Sequence, residues 1–303
     1  MGRVGTAAAL AALAAAAWMT AHRRSPAVRR WRPPAGPIQR HGPLAYRVAG
    51  CRDADTGVLL VHGLVATGDV FGGTPSLLGR RHRVLVPDLL GFGRSLDEHR
   101  TDFSSEAHLD ALWGLVDDEL GGRTLRIGAH SMGSALALRL AAARPDRIER
   151  VVCIGPPAWP DPASARAALG VLGPMGRSLV LDDRLARAVC AFNCRHRTLA
   201  GLLAAIGTPR WPIPVARQAS LHTWPAYIDA VREQIVDFPW SDLVDAVADL
   251  GVPVRFVKGT TDSIGDDDFL GSLATRPGID LLWVGGDHTL PAARPDLLVD
   301  ALQ

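Results

Sequence analysis

Lysine is almost missing from this chain. Lys258 is the only one among 33 basic residues, a skew that reads as coding bias rather than chemistry. Cysteine is sparse as well, and Cys51, Cys153, Cys190 and Cys194 show no disulfide-framework spacing across 303 residues. Cys190 and Cys194 lie one helical turn apart, where a bridge would be strained. They and Cys153 read as small apolar residues of a core. No grouping of histidine and cysteine has metal-ligand spacing, so no metal site is expected. Internal repeats are missing, and nothing beyond the N-terminus has low complexity. Acidic residues are absent from positions 1–52, which hold nine arginines. Beyond residue 52 the balance reverses, with 31 acidic residues against the 24 that remain of the 33 basic ones. A mildly acidic body and a net charge of +2 give no case for a nucleic-acid partner.

Long apolar runs are also lacking, with one exception. Val4 to Ala21 is uncharged and dominated by alanine. Its length sits at the lower limit for a membrane span, and alanine is barely lipophilic. A signal anchor, a cleaved export or transit peptide, and a loose amphiphilic helix all fit. Arg3 precedes the run and Arg23, Arg24, Arg29, Arg30 and Arg32 follow it. If the segment spans, this bias leaves the body of the chain on the cytoplasmic side. Residues 22–41, rich in Arg and Pro, read as a linker without a core of its own, with arginines suited to anionic lipid.

What is present is a globular, core-forming composition, 48% hydrophobic and 21% charged. Apolar strand patterns at Leu44–Ala49, Val58–Val61, Val84–Val86, Leu125–Ala129, Arg150–Ile154, Val252–Val257 and Asp280–Val284 alternate with helical ones. Such alternation means a parallel sheet covered on both faces. Residues 156–240 break the rhythm. Prolines punctuate them, and helical patterns cover Ser164–Leu172, Asp183–Phe192 and His196–Ile206.

The stretch from Leu125 to Leu140 organises the rest. A strand ends at Ala129, a helix begins near Met132, and Ser131 stands between them among small neighbours. That pattern describes a sharp turn exposing a hydroxyl above a sheet edge, with a helix N-terminus aimed at it. Leu59-Leu60-Val61-His62-Gly63 and Pro87-Asp88-Leu89-Leu90-Gly91-Phe92-Gly93-Arg94-Ser95 precede it, and Gly285-Gly286-Asp287-His288-Thr289 follows. In this order and spacing the four motifs resemble the α/β-hydrolase superfamily over residues 42–303. The one departure is Ala129, where the G-x-S-x-G elbow carries its first glycine; Gly133 is kept.

The resemblance implies an α/β-hydrolase fold, a mostly parallel, doubly wound sheet with a helical cap inserted after the sixth strand. It divides the chain into an N-terminal segment and linker at 1–41, a core at 42–155 and 241–303, and a cap at 156–240. It implies a cofactor-independent serine hydrolase acting on a small-molecule, apolar carboxylic ester. Ser131 would be the nucleophile, His288 the base and Asp262 the orienting acid, with backbone N–H groups of Leu64 and Met132 receiving the oxyanion. C–C bond, lactone or amide hydrolysis and perhydrolysis stay open on the same triad, as does a non-catalytic receptor, and the oligomeric state is open too. Ser131 argues against relatives that need a carboxylate nucleophile.

The nearby polar residues have quieter expected roles. His62 should hold the oxyanion loop, and His130 should point away from the nucleophile. Asp88 and Asp287 should brace turns. Asp266, Asp267 and Asp268 read as acids at a helix N-terminus. Trp159, Trp211, Trp224, Phe192 and Tyr227 either wall an apolar pocket or fill a helical layer. Arg195-His196-Arg197 reads as a solvated helix face rather than an anion site.

Overall fold

A computed structural model describes residues 2–171 and 183–303. Eight strands form one sheet in the order β1-β2-β4-β3-β5-β6-β7-β8. They are β1 (Gln39–His41), β2 (Leu44–Ala49), β3 (Thr56–Val61), β4 (Arg83–Pro87), β5 (Thr124–His130), β6 (Ile148–Ile154), β7 (Val254–Gly259) and β8 (Ile279–Val284). β2 pairs antiparallel with β1 and β4, and every other neighbouring pair is parallel.

Strand alternation sends successive side chains to opposite faces. Leu59, Val61, Leu125, Ile127, Val151 and Phe256 enter one core. It is closed by α4 (Ser105–Leu120), α5 (Gly133–Ala143) and α11 (Trp240–Asp249). Val58, Leu60, Val84, Val152 and Val257 enter the other, beneath α3 (Thr74–Leu78) and α14 (Pro295–Leu302). Burial on both faces is why the parallel strands read as unbroken apolar runs.

The mostly parallel sheet is the one read from the motifs, and five further helices among the described residues fall between β6 and α11. These are α6 (Pro162–Val171), α7 (Asp183–Arg195), α8 (Arg197–Gly207), α9 (Ile213–Gln218) and α10 (Trp224–Val231). Residues 172–182 of the expected helical insertion lie outside the described residues. α12 (Asp267–Leu273) follows β7, and α13 (Leu290–Ala293) precedes α14.

Two N-terminal expectations need correction. The run expected as a possible anchor forms α1 (Gly2–Arg24), but among the described residues no helix is long and apolar enough to cross a membrane. Alanine supplies too little hydropathy per residue for a span of this length. Residues 22–41 are also more than a linker. They contain α2 (Pro26–Arg30), whose Ala27 is fully buried against Ala292 and Ala293, and the edge strand β1. All four cysteines are free.

Candidate active site

The sharp turn after β5 carries a measurable strain. Ser131 has φ 53°, in the left-handed region that a non-glycine residue rarely adopts. Its N–H is held by Ile154 O at 2.9 Å, which fixes the turn to β6. Gly133 lets α5 approach β3. A Cβ there would stand 2.5 Å from Val61 O and 2.6 Å from His62 O, which no side chain could tolerate. Ala129, by contrast, is fully buried in the core under α5, so a methyl group fits where the elbow pattern expects hydrogen.

Ser131, Asp262 and His288 come together at the carboxyl ends of β5, β7 and β8, although 157 positions separate serine from histidine. The Nδ1–H of His288 donates to Asp262 Oδ2 at 2.9 Å. That leaves Nε2 as the acceptor facing the Ser131 hydroxyl at 3.0 Å. The Asp262 side chain is wholly shielded from solvent. Burial opposes its charge, but His288, the Lys258 charge and the Ile264 N–H outweigh it and hold the carboxyl below the usual range. A proton can therefore pass from the hydroxyl to an imidazole already locked in the correct tautomer.

Gly63, which precedes one of the two expected backbone donors, packs against the serine: a Cβ there would lie 2.9 Å from Ser131 Cβ. Neither the Leu64 N–H nor the Met132 N–H has a hydrogen-bond partner among the described residues. The adjoining Val65 has φ 48°. It and Ser131 are the two non-glycine residues with positive φ among those described. Strained positions of this kind cluster at functional turns. His62 holds the loop between them. Its Nδ1–H donates to Gly63 O at 2.8 Å, and its Nε2 accepts from Leu89 N–H at 2.8 Å. Burial pushes its pKa down, which suits a neutral brace.

Beneath that loop, Asp88 accepts from the N–H groups of Gly68 and Arg94, both at 2.8 Å. Asp69 binds Arg47, Arg94 and Gln218 of α9. Burial disfavours the Asp69 carboxylate, yet Arg94, Gln218 and Arg47 together keep it below the ordinary range. The helices beyond β6 are thus tied to the loop that carries Leu64.

Several residues had no recognised role in the sequence. Gly155, at the end of β6 with φ 57°, leaves room for the acid–histidine pair. A Cβ there would come within 2.8 Å of Asp262 Oδ2 and 3.1 Å of His288 Nδ1. The turn signal Gly155-Pro156-Pro157 was visible, but its distance to residues 262 and 288 was not. His130 does not simply point away. Its ring lies 4.7 Å from that of His288, and its Nε2–H donates to the His288 carbonyl at 3.1 Å. Burial, reinforced by His288, pushes its pKa down to about 3. Lys258 is completely buried and donates to Ile264 O, binding the ends of the loop that carries Asp262. Its isolation among 33 basic residues was the available signal.

The remaining expectations separate cleanly. Asp266 caps α12 through the Phe269 N–H at 2.8 Å, with Asp267 and Asp268 in its first turn. Asp287 accepts from Thr289 and pairs with Arg210. Trp159 and Tyr227 are buried in the main core, with Trp224 packed against it, while Phe192 is exposed and lies against the His196 ring. Trp211 lies edge-on to His130 and lines, with Arg210, Asp262 and His288, a cleft of about 320 Å³ on the acid–histidine side of the site. Arg197 is paired with Glu98 at 2.7 Å.

Fold and motif order together define the class. The chain belongs to the α/β-hydrolase fold family, and residues 57–172 match that family directly. It is 31% identical over 226 residues to the magnesium-chelatase 30 kDa subunit of Rhodobacter capsulatus, covering 74% of this chain and 77% of that protein. It is also 31% identical to lipase LipV of Mycobacterium tuberculosis, over 85% of this chain and 92% of the other. A thermophilic esterase from Thermogutta terrifontis superposes with a TM-score of 0.62 at 24% identity, covering 90% of this chain and 95% of that one. Hydrolase activity follows from this membership.

Proposed function

We propose that the chain is a serine hydrolase that cleaves carboxylic esters through an acyl-enzyme. One observation carries the reading: a continuous hydrogen-bonded relay from Asp262 through His288 to a serine held at a strained turn. The hydroxyl attacks the ester carbonyl as its proton moves to Nε2 of His288. The negative charge that develops on the carbonyl oxygen is received by the free N–H groups of Leu64 and Met132. The imidazolium then protonates the departing alkoxide. Water, deprotonated by the same imidazole, releases the acid and restores the serine. Asp262 holds the ring and stabilises its charge throughout.

In this reading residues 42–155 and 241–303 are the catalytic core and 156–240 the cap that shapes the substrate site. The likeness to a lipase and an esterase supports ester cleavage. A serine at the elbow supports an acyl rather than an alkyl intermediate. The test is labelling by a fluorophosphonate and turnover of p-nitrophenyl esters of increasing chain length. Ser131→Ala should abolish labelling and lower turnover by several orders of magnitude while leaving the thermal midpoint nearly unchanged. Labelling that persists at another serine would refute the assignment.

A further inference from the structure

Helix α8 is packed inside out. Its inner face consists of Ala200, Gly201 and Ala205, all buried. Gly201 sits so close to α9 that a Cβ would lie 2.9 Å from Arg217 O. Its large apolar residues, Leu199, Leu202, Leu203 and Ile206, follow the i, i+3, i+4, i+7 pattern of one helical stripe and face outward, 47–64% exposed. No described residue covers them. A stripe of this kind in water marks a surface that meets a partner.

A second apolar surface adjoins the first. The Trp18 indole N–H of α1 donates to Ile206 O at 2.9 Å, and His22 Nδ1–H donates to Pro209 O at 2.9 Å. Residues 10–17 of α1 then run clear of the body, uncharged and exposed on every side, with Leu10 and Leu13 the most prominent. Where α1 meets α2, a cleft of about 640 Å³ is lined by Arg24, Arg29, Arg30, Arg210 and Arg294 against a single acid, Asp287. Asp296 neutralises Arg294, and Asp287 pairs with Arg210. Arg24 and Arg29 meet no carboxylate among the described residues.

We infer that α8, α1 and this arginine cleft form one docking face for an anionic lipid bilayer, lying on the membrane rather than crossing it. Charge selects the occupant. The first 52 residues carry nine arginines and no acid, whereas the rest of the chain is net acidic. The segment that carries α1 and α2 is therefore the part of the chain drawn to an anionic surface. A second copy of the chain would bring the same arginines against these, so the stripe is poorly suited to self-association. α1 is uncharged and alanine-rich between basic ends and has no charged face, so its ends, Arg23 and Arg24 with the arginines of α2, are what an anionic surface would hold.

The position of this face gives it a function. Gly207 at the end of α8, with Pro209 and Trp211 just beyond it, lines a cleft beside His288. A docked molecule holds the His288 side of the site at the lipid surface, which brings the catalytic centre close to an acyl amphiphile in the bilayer. The substrate class rests on the ester-hydrolase reading; the docking does not.

Flotation with vesicles separates the two. The full chain and its Ser131→Ala variant should both float with vesicles of 30% phosphatidylglycerol in phosphatidylcholine at 0.1 M salt. Both should float at least tenfold less with pure phosphatidylcholine, or at 0.5 M salt, where screening shortens the reach of the arginines. Leu202→Glu with Leu203→Glu should cut bound protein at least tenfold. Its turnover of a short soluble ester should stay within twofold, which also reports that it folds. Arg24→Glu with Arg29→Glu should act in the same direction. The same variants should lose turnover of a long-chain ester embedded in anionic vesicles. Failure of the wild type to float, or unchanged flotation of the leucine variant, would overturn the docking face. So would a dimer in sedimentation that the leucine variant dissociates, since the occupant would then be a second copy. Flotation without ester turnover would leave the docking face standing and remove the substrate assignment.

Discussion

Around Ser131 the large apolar side chains are inside, and glycines set the contact distances; along α8 the small residues are inside and the leucines are out. The first arrangement is closed. Gly133, Gly155 and Gly63 each sit where one added carbon would strike backbone or a reacting side chain. The hydroxyl, imidazole and carboxylate are held by bonds of 2.9 and 3.0 Å. The second is open, and nothing in the fold demands leucine at 199, 202 or 203. The difference teaches that tolerance to substitution should be least where buried geometry is shared among strands, and greatest on the outward stripe. There only binding should suffer.

The largest effect that sharpens this contrast falls on the carboxylate. Asp262→Asn keeps the side-chain volume but lets the amide donate to His288, which favours the wrong tautomer. Turnover of p-nitrophenyl esters should fall at least about a hundredfold. The same change at Asp266, Asp267 or Asp268 should cost less than about tenfold, because these serve the start of α12. Near-normal turnover in Asp262→Asn with collapse in one of the others would reassign the acid and leave Ser131 and His288 in place.

Next comes Gly155→Ala, in which the new methyl group must displace either Asp262 Oδ2 or the His288 ring. Because φ is also positive there, the backbone cannot relax toward an ordinary conformation. The expected loss is about tenfold or more in kcat with KM little changed, since the displaced groups act on the reacting atoms. Unchanged kcat would mean that the pair tolerates a wider separation.

Legibility in the sequence follows the same division. Strands β2 to β8 were readable because burial on both faces makes them continuous apolar runs; the motifs brought Ser131 and His288 into view, and Asp262 followed from its place just past the strand at Val252–Val257. β1 was not readable, since Gln39–His41 is a short edge strand with no apolar pattern. α9 and α10 hid behind Pro212, Pro214 and Pro225, which read as breaks. In the first turn of a helix proline loses no hydrogen bond, so these residues start helices rather than end them. Gly155 and Lys258 escaped for another reason. Their roles depend on distances to residues far along the chain, and no local pattern encodes such distances.

Buried histidines supply a smaller, pH-dependent effect. His108 lies inside α4, and burial, with His62 and Arg100 adding, pushes its pKa down to about 3. The unfolded chain binds a proton at this side chain below its ordinary value of 6.5, and the native state does not. Its contribution is therefore complete above pH 6.5 and is lost as pH falls toward 3. By pH 5 one such group withdraws about 2 kcal/mol. His108→Leu should narrow the gap between urea unfolding free energies at pH 7 and pH 5 by about that amount. An unchanged gap would mean that this histidine takes up a proton in the native state.

The smallest effect belongs to Ala129, the one departure from the elbow pattern. The pattern can be read as two glycines doing one job, or as two positions under different constraints. Geometry favours the second. A Cβ on Gly133 would stand 2.5 and 2.6 Å from backbone oxygens, so its absence is obligatory. Ala129 sits at the end of β5, paired with Val61 and Cys153, and its methyl group fills core that would otherwise be empty. The strain of the turn is carried by Ser131 itself. Restoring glycine should therefore leave the serine where it is. Ala129→Gly should lower stability by about 1 kcal/mol, from added chain entropy and a lost methyl contact, and keep ester turnover within about tenfold. A thermal midpoint and a kcat measured together decide it. Complete loss of turnover with the fold intact would show that the methyl group props the elbow, and that the two ends of the motif are coupled after all.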